Sequence, residues 1–267
     1  MWTWTKHRRR RIWAFAFIAF AAPSQAISGA WTLAEDTTLA IVTTSYKIAP
    51  VSSLASGIRT RDELTTQVFL ETGVFDDLTL GLTAYSDFSR LTGETDTRLG
   101  LHARQRLWQG WNGSIVSVQV GFELPANEWI GQLHPEDSVL EFDARALFGT
   151  GWQLDWANSY ISTELGYRVR RGGLADELRF DGTAGLEPWD GILGLFTVSA
   201  DVPLGGTEDA SLEITPSLAF TLWPLVGEND KRPDLATPPQ TLQIGVGIDA
   251  LNPDDGIRIS GGIWTWF

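Results

Sequence analysis

The sequence predicts an all-β fold, a closed antiparallel transmembrane β-barrel of about twelve strands. Three observations carry the prediction. Apolar and polar residues alternate along segment after segment, the chain opens on an export-type leader, and it ends on an alternating strand whose last residue is Phe267.

The leader comes first. Lys6 and Arg8 to Arg11 precede a mostly apolar run from Ile12 to Ala22, then Pro23 and the small-residue site Ser24-Gln25-Ala26. This is the layout of a cleaved secretory signal peptide, with an apolar run short of the ~20 residues that cross a bilayer. The expected division is a signal peptide over 1–26 and an outer-membrane β-barrel over 27–267. Cleavage removes five of the 20 Lys/Arg and none of the 33 Asp/Glu, leaving 15 against 33 and a net charge of −18. Such a chain repels nucleic acid, and no nucleic-acid partner is expected. It contains no cysteine, which excludes disulfides, thiolate metal sites and cysteine nucleophiles.

Along the mature chain the strands follow one another without a break. Segments are expected over 36–47, 61–73, 78–89, 95–108, 114–125, 136–149, 152–168, 176–188, 191–202, 210–223, 240–251 and 256–267. In the second, Leu64, Thr66, Val68 and Leu70 share one face, against Glu63, Thr65, Gln67 and Glu71, with Phe69 the exception. The third sets Leu78, Leu80, Leu82 and Ala84 opposite Thr79, Gly81, Thr83 and Tyr85. The fourth sets Leu99, Leu101, Ala103 and Leu107 against Arg98, Gly100, His102, Arg104 and Arg106. The fifth sets Val118, Val120, Phe122 and Leu124 against Gln119, Gly121 and Glu123. A period of two means strands with unlike faces, and an even count suits a bacterial outer-membrane barrel.

The connections agree. "VFDD", "QGWNG", "GTG" and "PWDG" follow even-numbered segments as short periplasmic turns, while most others are longer and polar. The Pro-rich stretch 224–240 breaks the pattern, either as a periplasmic insertion or because the count is off by a strand. Trp108, Trp111, Trp152, Trp189, Trp223, Trp264 and Trp266 collect at the periplasmic level, as expected of an interfacial aromatic girdle.

Alternation alone suits a soluble sandwich as well as a barrel. The leader, the girdle and the terminus choose the barrel, whose apolar faces meet lipid and whose polar faces meet the lumen. Closure is then obligatory, because an open edge in hydrocarbon leaves backbone groups unpaired. Ile257, Ile259, Gly261, Ile263, Thr265 and Phe267 share one face of the final strand. Phe267 is the expected assembly signal, read by the barrel assembly machinery, and outer-membrane lipid is the other expected partner.

"GAWT" at 29–32, "GYRVRRGGLADELRFDGTAGLEP" at 166–188 and the final aromatic together resemble a proteobacterial outer-membrane family. That family is labelled by the MetA pathway of phenol degradation. The resemblance runs from Gly29 to Phe267 and is strongest around 165–188. It implies a transmembrane barrel that admits small organic permeants, aromatic or hydrophobic ones among them. It brings no catalytic motif and no site residue. The chain departs from the pattern at 224–240.

The charged residues expected to face the lumen are Arg98, His102, Arg104, Arg106, Glu123, Glu141, Asp143, Arg145, Glu164, Arg168, Glu177, Arg179 and Asp181. They suit a charged pore that selects permeants, or a lumen filled by interlocking ion pairs. Hairpin geometry pairs Arg98 with Glu123 and Arg168 with Glu177. An outer-membrane hydrolase would need a serine paired with a histidine base. His102 sits among arginines, His134 sits in "QLHPED", and no GxSxG motif occurs. No catalytic residue, cofactor or metal is therefore expected. The reading is a narrow passive channel for small molecules, ahead of a non-conducting structural barrel and a lipid-modifying enzyme.

Overall fold

Extended segments with one apolar and one polar face form a sheet that cannot present an open edge to lipid. The computed structural model describes residues 29–48, 63–89, 93, 95–126, 140–171, 174–206, 208–222 and 240–267. Within them the chain forms β1 (Thr38–Ile48), β2 (Glu63–Phe75), β3 (Leu78–Ser89), β4 (Thr95–Gln109), β5 (Ile115–Pro125) and β6 (Glu141–Gln153). The second half comprises β7 (Asn158–Arg170), β8 (Glu177–Trp189), β9 (Ile192–Pro203), β10 (Ser211–Leu222), β11 (Gln240–Asp249) and β12 (Ile257–Trp266). Each strand is hydrogen-bonded to its sequence neighbours, and β1 also pairs with β12, so the twelve-stranded barrel is closed. The leader expected over 1–26 lies outside the described residues.

The final strand makes the seam. Ile41 lies opposite Trp264 and Ser45 opposite Ser260. The last residue completes it, with Phe267 N donating to Thr38 O at 2.9 Å and Thr38 N to Phe267 O at 3.2 Å. Residues 223–239 lie outside the described residues, yet β10 pairs directly with β11, so no strand is missing between them.

One turn falls elsewhere than expected. Gly149, Thr150 and Gly151 continue β6, paired with Ser162, Ile161 and Tyr160. The chain reverses at Leu154–Ala157 instead, where Leu154 N donates to Ala157 O at 2.8 Å. The glycine at 149 serves packing rather than turning: a Cβ there would sit 2.8 Å from the Trp31 ring.

Outside, Leu80, Leu101, Val118, Val120, Leu165, Ile259 and Ile263 are all exposed, giving the barrel an apolar outer wall. Trp108, Trp111, Trp152, Trp156 and Trp189 are exposed near the short-turn end. The girdle is smaller than expected. Trp264 is buried and Trp266 packs against an internal apolar cluster, because both occupy even-numbered, inward positions of β12. Trp223 lies outside the described residues. Irregular pairing interrupts β2 at Gly73/Phe75, β4 at Arg106/Trp108 and β8 at Leu186/Trp189. All three sit at the short-turn rim, where bulges let a strand bend away from the ladder.

Candidate functional site

The lumen has three tiers. The lowest, at the short-turn end, is apolar. Inward positions there carry Leu39, Ile41, Phe69, Tyr160, Leu195, Ala219 and Trp264, all buried, with Leu193 and Trp266 packed against them. Register explains the contact: Ile41 on β1 lies between Phe69 on β2 and Trp264 on β12. Phe69, the exception to alternation in β2, is fully buried here.

The segment preceding β1 folds back into this tier. Trp31 stands edge-on to Tyr160, with ring centroids 6.1 Å apart and an interplanar angle of 89°. Ala30 and Trp31 also pack on Ile115 and Leu147. The backbone is pinned as firmly as the side chains. Ser117 Oγ donates to Ala30 O, Leu33 N donates to Thr79 Oγ1 at 2.8 Å, and Asp36 N donates to Gly73 O at 3.1 Å. Gly73 admits the segment, since a Cβ there would overlap Ala34 O.

The middle tier is a buried charge cluster. Arg104, 1% exposed, meets Glu71, 2% exposed, with Nη2 2.6 Å from Oε1. Its Nε donates to Gln119 Oε1 at 3.0 Å and its Nη1 to Trp31 O at 3.1 Å. Arg104 thus ties the inserted segment to the wall. His102 Nε2 lies 2.8 Å from the same Glu71 oxygen, and the imidazole stacks on Phe69 with centroids 5.6 Å apart. Strand β3 separates Glu71 from His102, and they meet only because Gly81 stands between them. A Cβ at Gly81 would come within 2.2 Å of the imidazole.

The upper tier is a cavity of about 580 Å³ with unlike walls. On β6 to β9 the side chains interlock. Arg145 reaches Asp143, Glu164 and Asp181, leaning across Gly166, whose missing side chain leaves it room. Arg168 lies 3.2 Å from Glu141 and 3.7 Å from Glu177, and Arg179 Nε donates to Asp201 at 2.7 Å. Across the barrel the inward residues are short and polar. Ser217 accepts from Gln243 Nε2 at 2.9 Å beside Gly245 and Ser260. The cavity itself is lined by residues of β2 to β9, with Arg258 from β12.

Most charged positions singled out from sequence are thereby located. His102, Glu123, Asp143, Arg145, Glu164, Arg168, Arg179 and Asp181 line the cavity. Arg106 sits opposite Ser117 just above the β4 bulge. Arg168 and Glu177 face one another across the β7–β8 hairpin, as hairpin geometry requires. The Arg98–Glu123 pairing is corrected. The β4–β5 turn is centred further along the chain, with Gly110 N donating to Ser114 O at 2.7 Å. Arg98 therefore faces Pro125 and Glu123 faces Gly100. Arg98 takes Asp96 at 3.1 Å and Glu141 at 2.9 Å as its carboxylates. Sequence reasoning missed the inserted segment and the apolar tier. Its signal was a run of inward apolar residues, Leu39, Ile41, Phe69 and Trp264, at one level of neighbouring strands.

His102 is held by Glu71 and by stacking on Phe69. His134 lies outside the described residues. Among the described residues no group of His, Asp and Glu could hold a metal ion.

No protein-family model matches the chain, and no curated protein matches it. Among solved structures, an outer membrane channel from Pseudomonas putida F1 shares 12% identity with it. That likeness covers 90% of this chain and 98% of the other, with a TM-score of 0.54. This chain is an outer-membrane β-barrel. Its closed wall, apolar exterior and likeness to that channel agree, and the likeness is one of fold. LpxR from Salmonella typhimurium is 10% identical over 86% of this chain and 100% of its own, with a TM-score of 0.49. The KdgM porin is 10% identical over 85% and 98%, with a TM-score of 0.45.

Proposed function

We propose that the barrel is a narrow passive channel for small organic molecules, held closed by residues 30–33. The carrying observation is what obstructs the lumen. Beneath the cavity lies a strap of the chain's own N-terminal residues, hydrogen-bonded to the wall through Trp31 O, Ala30 O and Leu33 N. A strap of that kind can leave without breaking a strand ladder. The channel-like fold supports the reading, as does the resemblance of 29–32 and 166–188 to the family labelled by the MetA pathway of phenol degradation.

The cavity presents seven carboxylates, Glu63, Asp87, Glu123, Asp143, Glu164, Asp181 and Asp201, against Arg145, Arg168, Arg179 and Arg258. An excess of fixed negative charge favours cations. Planar-bilayer recording tests both points. The native barrel should show small or rare current steps. A chain lacking residues 29–33 should show frequent, larger steps with a cation preference. Silence from both would favour a structural barrel, a reading that the interlocked ion pairs on β6 to β9 support.

A further inference from the structure

Trp31 occupies the lumen as a ligand occupies a pocket. Its ring meets Tyr160 edge-on, the preferred geometry of an aromatic pair. It lies over Gly149, where any Cβ would come within 2.9 Å of two ring atoms. The strap is held by backbone bonds at Ala30, Trp31 and Leu33 and by Thr32 Oγ1 donating to Asp76 O at 2.9 Å, while the indole ring contributes shape.

The surrounding wall has polar groups that this side chain leaves unanswered. Tyr160 Oη and Trp264 Nε1 belong to residues 4% and 2% exposed, in the cluster against which Trp31 packs, and neither has a hydrogen-bond partner. Tyr160 Oη lies over Gly185, where a Cβ would come within 2.6 Å of it. Two residues higher on β7, Ser162 Oγ is buried and likewise unpartnered at the cavity floor. Buried donors without acceptors are rare because each has lost its water for nothing in return. An apolar plug would be better built with Phe at 160.

We infer that the pocket filled by Trp31 is a binding site for a planar, indole-sized ligand that carries a hydrogen-bond acceptor. Such a ligand supplies the same ring and also an oxygen for the Tyr160 and Trp264 donors. Occupancy by ligand and closure by the strap exclude one another. The consequence for permeation rests on the channel reading above; the site rests on the lumen geometry alone.

The test uses two probes with one ring system, indole and indole-3-carbaldehyde, the second bearing a carbonyl acceptor. Trp31→Ala barrel in detergent should bind both by calorimetry. The aldehyde should bind about tenfold more tightly, the worth of one buried hydrogen bond. Adding Tyr160→Phe removes one of the two donors and should narrow the ratio of the two affinities. The native chain should bind both more weakly, because Trp31 must leave first. The chain lacking residues 29–33 serves as a second variant should Trp31→Ala fail to fold. Failure of both vacated barrels to bind either probe overturns the site, as does equal affinity for the two probes. Binding without current in any variant would sink the channel and leave the site standing. Current that rises on vacating the pocket, with no probe binding, would do the reverse.

Discussion

Arg104→Leu is the sharpest test of the middle tier. The substitution strips a buried carboxylate of its guanidinium: Glu71 loses contacts at 2.6 and 3.4 Å and keeps His102 at 2.8 Å. Gln119 and the Trp31 carbonyl lose a donor as well. Breaking a buried pair by removing one partner costs about 3–5 kcal/mol, because the survivor's charge has left water without compensation. Replacing both members by apolar residues of similar volume is often near neutral. The Arg104→Leu/Glu71→Leu double variant should therefore recover at least about 2 kcal/mol of the single variant's loss. The pair Arg170–Glu208 is the control. The Glu208 side chain is 32% exposed and Arg170 keeps Glu177 at 2.8 Å, so Glu208→Ala should lose no more than about 1 kcal/mol. Reversible urea unfolding in lipid vesicles, followed by tryptophan fluorescence, measures Arg104→Leu, Glu71→Leu, the double variant and Glu208→Ala. Additive losses at Arg104 and Glu71 would mean that water screens the pair, and the buried-cluster argument would be wrong.

Facing can be read in the same assay. Leu101→Arg should cost about 2–4 kcal/mol at mid-bilayer, whereas Thr83→Arg, in the cavity wall, should cost far less. Gln119→Arg belongs with the damaging changes despite facing inward, since it sets a second guanidinium against Arg104; equal costs at 83 and 101 would refute the register. Deleting Phe267 should lower the heat-modifiable, folded fraction in the outer membrane, because the chain loses its expected assembly signal and the bonds to Thr38; unchanged levels would count against that role. Asp176, in the connection before β8, accepts hydrogen bonds from Tyr167 Oη at 2.6 Å and Arg170 N at 3.1 Å, which hold its carboxyl below the ordinary 3.8. A depressed value in the folded state stabilises above the unfolded value and is lost as pH falls through the folded one. The stability difference between native and Asp176→Asn chains should therefore shrink below about pH 4, and a difference independent of pH would remove the carboxylate from the account.

Strand number and facing were legible because they are local. A period of two is written into each segment, and lipid outside the wall makes the apolar face unambiguous, as at Leu80, Leu101 and Val118. Closure was legible too, since an alternating terminal strand in hydrocarbon has only β1 left to pair with. Level and filling were not. The Arg98–Glu123 register moved by two residues because turn position and the β4 bulge decide which inward residues share a row. Trp264 and Trp266 stood at the anticipated end of the barrel but on its inner side.

Alternation says which way a side chain points, and nothing about what waits at the centre of the barrel. That Trp31 would cross to Tyr160, Arg104 to Glu71 over Gly81's strand, and His102 to Glu71 through the gap at Gly81 depends on contacts between residues 31 to 129 positions apart. A twelve-stranded wall with lipid outside is written into the residue order, because hydrogen-bond closure and the hydrophobic effect act strand by strand. Long-range contacts set the filling of the lumen, an apolar tier below and a cavity above it. Curling the sheet brings apolar inward residues of distant strands to one level, and burying them takes the chain's own N-terminal segment.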